Sequence, residues 1–115
     1  MTYDFTIIPG TSGTVQHPLG LALRYKDSAG EIIDLSRATL HFTASDGSKT
    51  VLGVASPTIT WDSATGEILV PISVADTREI GKCSWVKYSI EYRAGAAQHI
   101  ILRGNLQIDR VPNAD

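Results

Sequence analysis

Hydrophobic and polar residues alternate with a period of two through most of this chain, most plainly over 86–110. Val86, Tyr88, Ile90 and Tyr92 alternate with Lys87, Ser89, Glu91 and Arg93. After Ala94-Gly95-Ala96-Ala97, Ile100, Leu102, Leu106 and Ile108 share one parity, and Arg103, Asn105, Gln107 and Asp109 take the other. Successive side chains of a strand point to opposite faces, so this stretch predicts a long β-hairpin with one buried face.

The same pattern recurs upstream. Residues 3–8 read as a first strand closed by Pro9-Gly10; proline cannot donate to a ladder, so this strand ends there or lies at an edge. Leu19, Leu21, Leu23 and Tyr25 alternate with Gly20, Ala22, Arg24 and Lys26, which predicts a second strand with its leucines inward. A short return over 31–35 follows the Asp27-Ser28-Ala29-Gly30 turn. Leu40, Phe42 and Ala44 alternate with Thr39, His41 and Thr43 in the next strand, and Asp46-Gly47-Ser48 turns the chain into 49–54. Pro57 breaks the chain before 58–61, and Asp62-Ser63-Ala64-Thr65-Gly66 turns it again. Pro71, inside 67–72, predicts an edge or bulged strand.

Ser73 and Asp76, three apart, suit the exposed N–H groups of one or two helical turns over 73–80. Residues 111–115 carry no pattern and read as a flexible C-terminal tail.

About seven to nine short strands without a long helical period predict an all-β fold, an immunoglobulin-like antiparallel β-sandwich over residues 1–110 as one domain. Tyr88 suits a corner tyrosine with its hydroxyl bonded to backbone. The Cys-Trp-Cys framework of antibody domains is absent, so apolar packing is expected to hold the sandwich.

Composition narrows the chemistry. The chain has 115 residues, a length that fits one domain. Ten Lys and Arg against twelve Asp and Glu leave a formal charge of -2, with no basic excess to neutralise phosphates, so nucleic acid is not an expected partner. No run approaches the roughly 18 apolar residues of a membrane span. Met1-Thr2-Tyr3-Asp4 lacks the basic and apolar regions of a signal peptide, so synthesis in a reducing cytoplasm is expected. The single cysteine, Cys83, cannot make an internal disulfide and lacks an adjacent base, so it reads as structural.

No catalytic or metal constellation appears. His17, His41 and His99 are not spaced as a ligand pair on one segment, and His41 and His99 fall on outward parity. There is no Gly-x-Ser-x-Gly elbow. Gly10-Thr11-Ser12-Gly13-Thr14 lacks the lysine of a phosphate loop and reads as a flexible loop. Asp62 to Glu67 lacks the ligand order of a calcium loop and reads as a turn. The chain is therefore expected to be no enzyme and to take no cofactor, metal or small-molecule substrate. Trp85, on outward parity, suits a protein interface, a local lid on the core or a sugar-stacking platform. With Lys87, Arg93 and Arg103 on the same parity it forms the candidate interface. Trp61, beside a turn, reads as core or rim.

Three segments carry a resemblance: Asp34-Leu35-Ser36-Arg37-Ala38-Thr39-Leu40-His41-Phe42; Ile59-Thr60-Trp61-Asp62-Ser63-Ala64-Thr65-Gly66-Glu67-Ile68-Leu69-Val70-Pro71-Ile72-Ser73 with the following Ala75-Asp76-Thr77; and Tyr88-Ser89-Ile90-Glu91-Tyr92 returning through Ile101-Leu102-Arg103-Gly104-Asn105-Leu106. Their order resembles small immunoglobulin-like proteins of tailed phages and prophages, and is similar to the N-terminal domain of phage baseplate upper proteins. The likeness spans roughly residues 5–110. It implies a virion component made in the bacterial host cytoplasm, an adaptor of tail, baseplate or fibre whose partners are other phage structural proteins and itself, as a homo-oligomer. Baseplate upper proteins continue into a long helical, receptor-facing region, and residues 1–115 carry no such helical period, so an autonomous accessory protein or a subunit that oligomerises through its own edges is expected. An edge strand near Pro9 or Pro71, or the closing hairpin with Trp85, is the expected contact surface. The alternative is a carbohydrate-binding β-sandwich using an exposed Trp85.

Overall fold

The computed structural model describes residues 3–56 and 58–109. Eight strands and one helix follow in order: β1 (Phe5–Ile7), β2 (Gly20–Arg24), β3 (Thr39–Ser45), β4 (Thr50–Ala55), β5 (Thr60–Trp61), β6 (Glu67–Pro71), α1 (Val74–Gly81), β7 (Val86–Ala94) and β8 (Ala97–Ile108). A five-stranded sheet in the order β1-β8-β7-β3-β4 is layered with a three-stranded sheet in the order β2-β6-β5. This is the immunoglobulin-like sandwich that the strand spacing predicts. The expected breaks at Pro57 and in the 111–115 tail lie outside the described residues.

Each sheet turns one parity inward. Phe42, Ala44, Val86, Tyr88, Ile90, Leu102 and Leu106 from the larger sheet meet Leu21, Ile68 and Val70 from the smaller one in a single buried cluster. Phe42 and Tyr88 pack ring to ring at 5.7 Å, and Phe5 meets Tyr88 edge-on at 5.9 Å. Aromatic contact of this kind adds about 0.5–1.5 kcal/mol to the burial itself.

β1 ends before Pro9 and lies at a sheet edge, as its proline requires, and it pairs with β8 in parallel. Its start is clamped. The Tyr3 N–H donates to the Arg103 carbonyl (3.0 Å), and the Tyr88 hydroxyl donates to the Tyr3 carbonyl (2.5 Å). The Asp4 carboxylate accepts from the Asn105 N–H (2.9 Å). Tyr88 thus bonds backbone, but over β8 within its own sheet, to the residue leading into β1, rather than to its own corner. Burial, and then the Asp4 charge, push its phenol well above the ordinary tyrosine range. Gly104 lies under the crossing: a Cβ there would stand 1.7 Å from the Tyr3 carbonyl oxygen.

Several expectations need correction. The strand expected over 31–35 is reduced to one bridge, Lys26 to Ile32. Local bonds take its backbone instead, with Asp34 accepting from the Ser36 N–H (2.9 Å) and Leu35 from the Ala38 N–H (3.1 Å). The strand carrying Pro71 is central, not an edge. Proline is tolerated because it closes the strand: the next N–H, of Ile72, turns to Leu19, and β5 pairs only as far as Leu69. Leu19 shares parity with Leu21 yet is 63% exposed, because it precedes β2 and lies beyond the core.

The loop over 10–14 was expected to be flexible, but buried Thr77 of α1 stitches it down. The Thr77 hydroxyl donates to the Thr11 carbonyl (2.8 Å) and accepts from the Gly10 N–H (3.3 Å). Trp61 packs half-buried against the core, and its indole N–H finds no acceptor among the described residues.

The helix forms where the sequence places it. The Ser73 hydroxyl accepts from the Asp76 N–H (3.1 Å) and the Asp76 carboxylate accepts from the Ser73 N–H (2.9 Å), a reciprocal capping box. Ser73→Ala is expected to lower stability by about 1 kcal/mol. A shifted chemical-denaturation midpoint, largely restored by Ser73→Asn, would register this; no shift would mean that Ile80 and Thr77 packing alone fixes the helix.

Candidate functional site

The outer face of the five-stranded sheet gathers most of the residues that the sequence singles out. It exists because β3, β7 and β8 pair in register: Thr43 stands opposite Ser89, and Ser89 opposite Arg103. Lys87 stands opposite Asn105. A shallow groove of about 400 Å³ runs over these pairs, lined by Thr43, Ser45, Lys87, Ser89, Arg103 and Ile100. Its floor is hydroxyl and apolar, and two cations border it.

Trp85 stands beside Lys87, outside the groove lining. It precedes β7 and is 49% exposed. One side of its ring lies on the turn between β3 and β4, where a Cβ on Gly47 would come within 2.7 Å of the ring. Gly47 is needed there twice over, for its φ of 94° and for the space above it. The turn is braced by Asp46, whose carboxylate accepts from the Ser48 and Lys49 N–H groups at 2.9 and 3.0 Å. Those two backbone bonds, with the Ser48 hydroxyl, hold the Asp46 carboxyl below its ordinary value. The Lys87 ammonium stands 5.7 Å from the Trp85 ring centroid, in cation–π range. Trp85 is thus both packed locally and half open.

Of the four candidate interface residues, Lys87 and Arg103 line this groove, Trp85 stands beside Lys87, and Arg93 keeps the same outward parity on β7. Arg93 is further along β7 toward the hairpin tip and is ion-paired with Glu91. The parity reading missed Ile100. Glu91 pairs with Ile100 whereas Ile90 pairs with Leu102, so Ile101 is an extra, bulged residue. The bulge moves Ile100 from the expected inward parity to the outer face, where it is 61% exposed. It also moves His99 the other way: His99 stands opposite Tyr92 and stacks on its ring at 5.9 Å, rather than facing outward with Glu91. His41 stands opposite Glu91, half-buried.

The Asp62 turn is closed by its own backbone and side chain, with the Asp62 carboxylate accepting from the Ala64 N–H at 2.8 Å. No cluster of three metal-ligating side chains occurs among the described residues. No described helix is long and apolar enough to cross a membrane. No family model and no curated protein matches the chain.

Proposed function

We propose that this protein is a non-enzymatic contact module of a bacteriophage or prophage particle, an adaptor in a tail, baseplate or fibre assembly. The observation that carries the reading is the groove face. A half-exposed Trp85, two cations and an exposed Ile100 stand on a paired, rigid sheet, the composition of a protein-binding patch. The phage assignment is supported by the sequence resemblance, with the two-sheet architecture that it implies.

The groove is open and shallow, which suits a protein surface better than an enclosed small molecule. A sugar-stacking role keeps one observation in its favour, the solvent-facing side of the Trp85 ring.

Co-expression with the products of the flanking genes tests the reading. Co-elution with a tail or baseplate component is expected, weakened at least ~30-fold by Trp85→Ala, as for an aromatic anchor worth about 2 kcal/mol or more. Co-elution with none of them, together with glycan-array binding that Trp85→Ala removes, would replace it with the carbohydrate reading.

A further inference from the structure

The groove on the outer face carries a charge opposite to that of the chain. The chain has ten Lys and Arg against twelve Asp and Glu. The groove is lined by two cations, Lys87 and Arg103, and by no carboxylate. Lys87 stands opposite Asn105, and Ser89 opposite Arg103. The two cations are therefore diagonal neighbours on paired strands, roughly 7–8 Å apart at the backbone. Both are exposed, and both side chains are long enough to meet on one ligand group.

Neither cation is neutralised from within. Among the described residues the ion pairs are Lys82 with Glu79 and Arg93 with Glu91, and none reaches Lys87 or Arg103. The carboxylates nearest this groove are already engaged. Glu91 takes Arg93, and Asp4 accepts from the Asn105 N–H at 2.9 Å and from its side-chain amide at 3.5 Å. The Lys87 ammonium stands over the Trp85 ring, a contact that orients it and leaves its charge in place. Beside the cations lie the hydroxyls of Ser89 and Thr43, which stand opposite each other and have no hydrogen-bond partner among the described residues. The groove is thus a set of donors without an anionic acceptor.

The row continues toward β4 without a side chain. Gly53 stands opposite Thr43, has no positive φ, and has nothing within 4 Å of where a Cβ would be. Neither backbone geometry nor packing demands glycine there. A glycine inside a strand weakens it, and close approach by another backbone is what such a position permits. Ile100 adds an exposed apolar contact beside Arg103.

We propose that this groove receives an acidic segment of the partner protein, laid across the sheet from Gly53 to Arg103, with a carboxylate shared by Lys87 and Arg103 and an apolar side chain on Ile100. Opposite charge supplies attraction and register. A nucleic acid matches less well, because two cations release few counterions and the rest of the chain is net negative. This deepens the contact-module reading, and rests on it, by giving the partner its chemistry. The contact is open to water, so for a lone peptide it is weak and salt-sensitive.

Fluorescence anisotropy of a labelled octapeptide of alternating Glu and Leu, titrated with the full chain, is the test. Saturable binding at low salt is expected, fading as ionic strength rises past about 0.15 M. The same peptide with Gln in place of Glu should not bind. Lys87→Gln and Arg103→Gln should each weaken binding about fivefold, the upper end for an exposed ion pair. Lys82→Gln, at the end of α1 and paired with Glu79, should leave it unchanged, which separates the groove from net charge. All three positions are exposed, so each variant should keep the denaturation midpoint of the parent. Absence of binding by the Glu peptide would overturn the inference. Equal binding of the Gln peptide would do the same, as would Glu-peptide binding that survives Lys87→Gln and Arg103→Gln together. A sulfated oligosaccharide or single-stranded DNA bound through Lys87 and Arg103 in place of the peptide would overturn it in favour of another polyanion. The contact-module reading fails separately, by co-elution with no flanking gene product. Co-elution that is lost with Trp85→Ala but indifferent to Lys87→Gln and Arg103→Gln would leave that reading standing and overturn only the acidic partner.

Discussion

Phe42→Ala is expected to cost about 3–5 kcal/mol, the upper range for truncating a buried aromatic. Phe42 is 1% exposed at the centre of β3, between Val54 of β4 and Ile90 of β7, with its ring against Tyr88. Its loss opens a cavity that two hydrogen-bonded sheets cannot collapse to fill. Domains of this size have total stabilities of about 5–15 kcal/mol, so the variant is left marginal. Urea unfolding reads the effect as a lower midpoint with an unchanged slope. A loss below about 1 kcal/mol would show that the two sheets do not close over this ring.

Gly104→Ala is the second large effect, and it arises from overfilling. The new Cβ would stand 1.7 Å from the Tyr3 carbonyl oxygen and 2.6 Å from its carbon. Both are backbone atoms held by the Arg103 and Tyr88 hydrogen bonds, so no rotamer change relieves the clash. The start of β1 must swing out. The expected cost is about 1–3 kcal/mol. Amide exchange should accelerate in β1 while β3 and β7 stay protected.

A double variant gives a sharper check. Tyr88→Phe alone should cost about 1–3 kcal/mol by leaving the Tyr3 carbonyl without its donor. In the Gly104→Ala background it should cost little more, because that bond is already broken. Strict additivity would mean that the clamp survives the added methyl group.

Parity made most of the larger sheet legible in advance. In β3 and β7 large side chains alternate strictly with polar ones, so one phase alone buries them. The turns at Asp27, Asp46 and Asp62 were legible because Asp and Gly supply their own geometry, and the α1 cap because Ser73 and Asp76 act locally. What escaped was set by partners distant in sequence. Ile100-Ile101-Leu102 is apolar in either phase, so nothing in the residues marks Ile101 as the extra one; β7, which it bulges against, decides that. Leu19 has the parity of a core residue, but parity gives direction and not how far the facing sheet extends. Pro71 was read as an edge signal, although a last strand residue satisfies the same constraint.

The candidate interface was legible in part for the same reason. Outward parity on a regular strand placed Lys87 correctly, and Trp85 on the same side just before it. Arg103 shared the face because the bulge lies beyond it. Arg93 keeps outward parity too, but it lies beyond the groove and is ion-paired with Glu91, which parity alone does not show.

The Asp4 to Asn105 hydrogen bond spans 101 residues and joins the first strand to the last. Contacts between sequence-distant strands form slowly, on the order of milliseconds to seconds in β-sandwiches. On the ribosome, a nascent chain lacking β8 has no seat for β1, and β7 also waits for its neighbour. Closure of this sandwich is therefore a late event, completed only after β8 has left the exit tunnel.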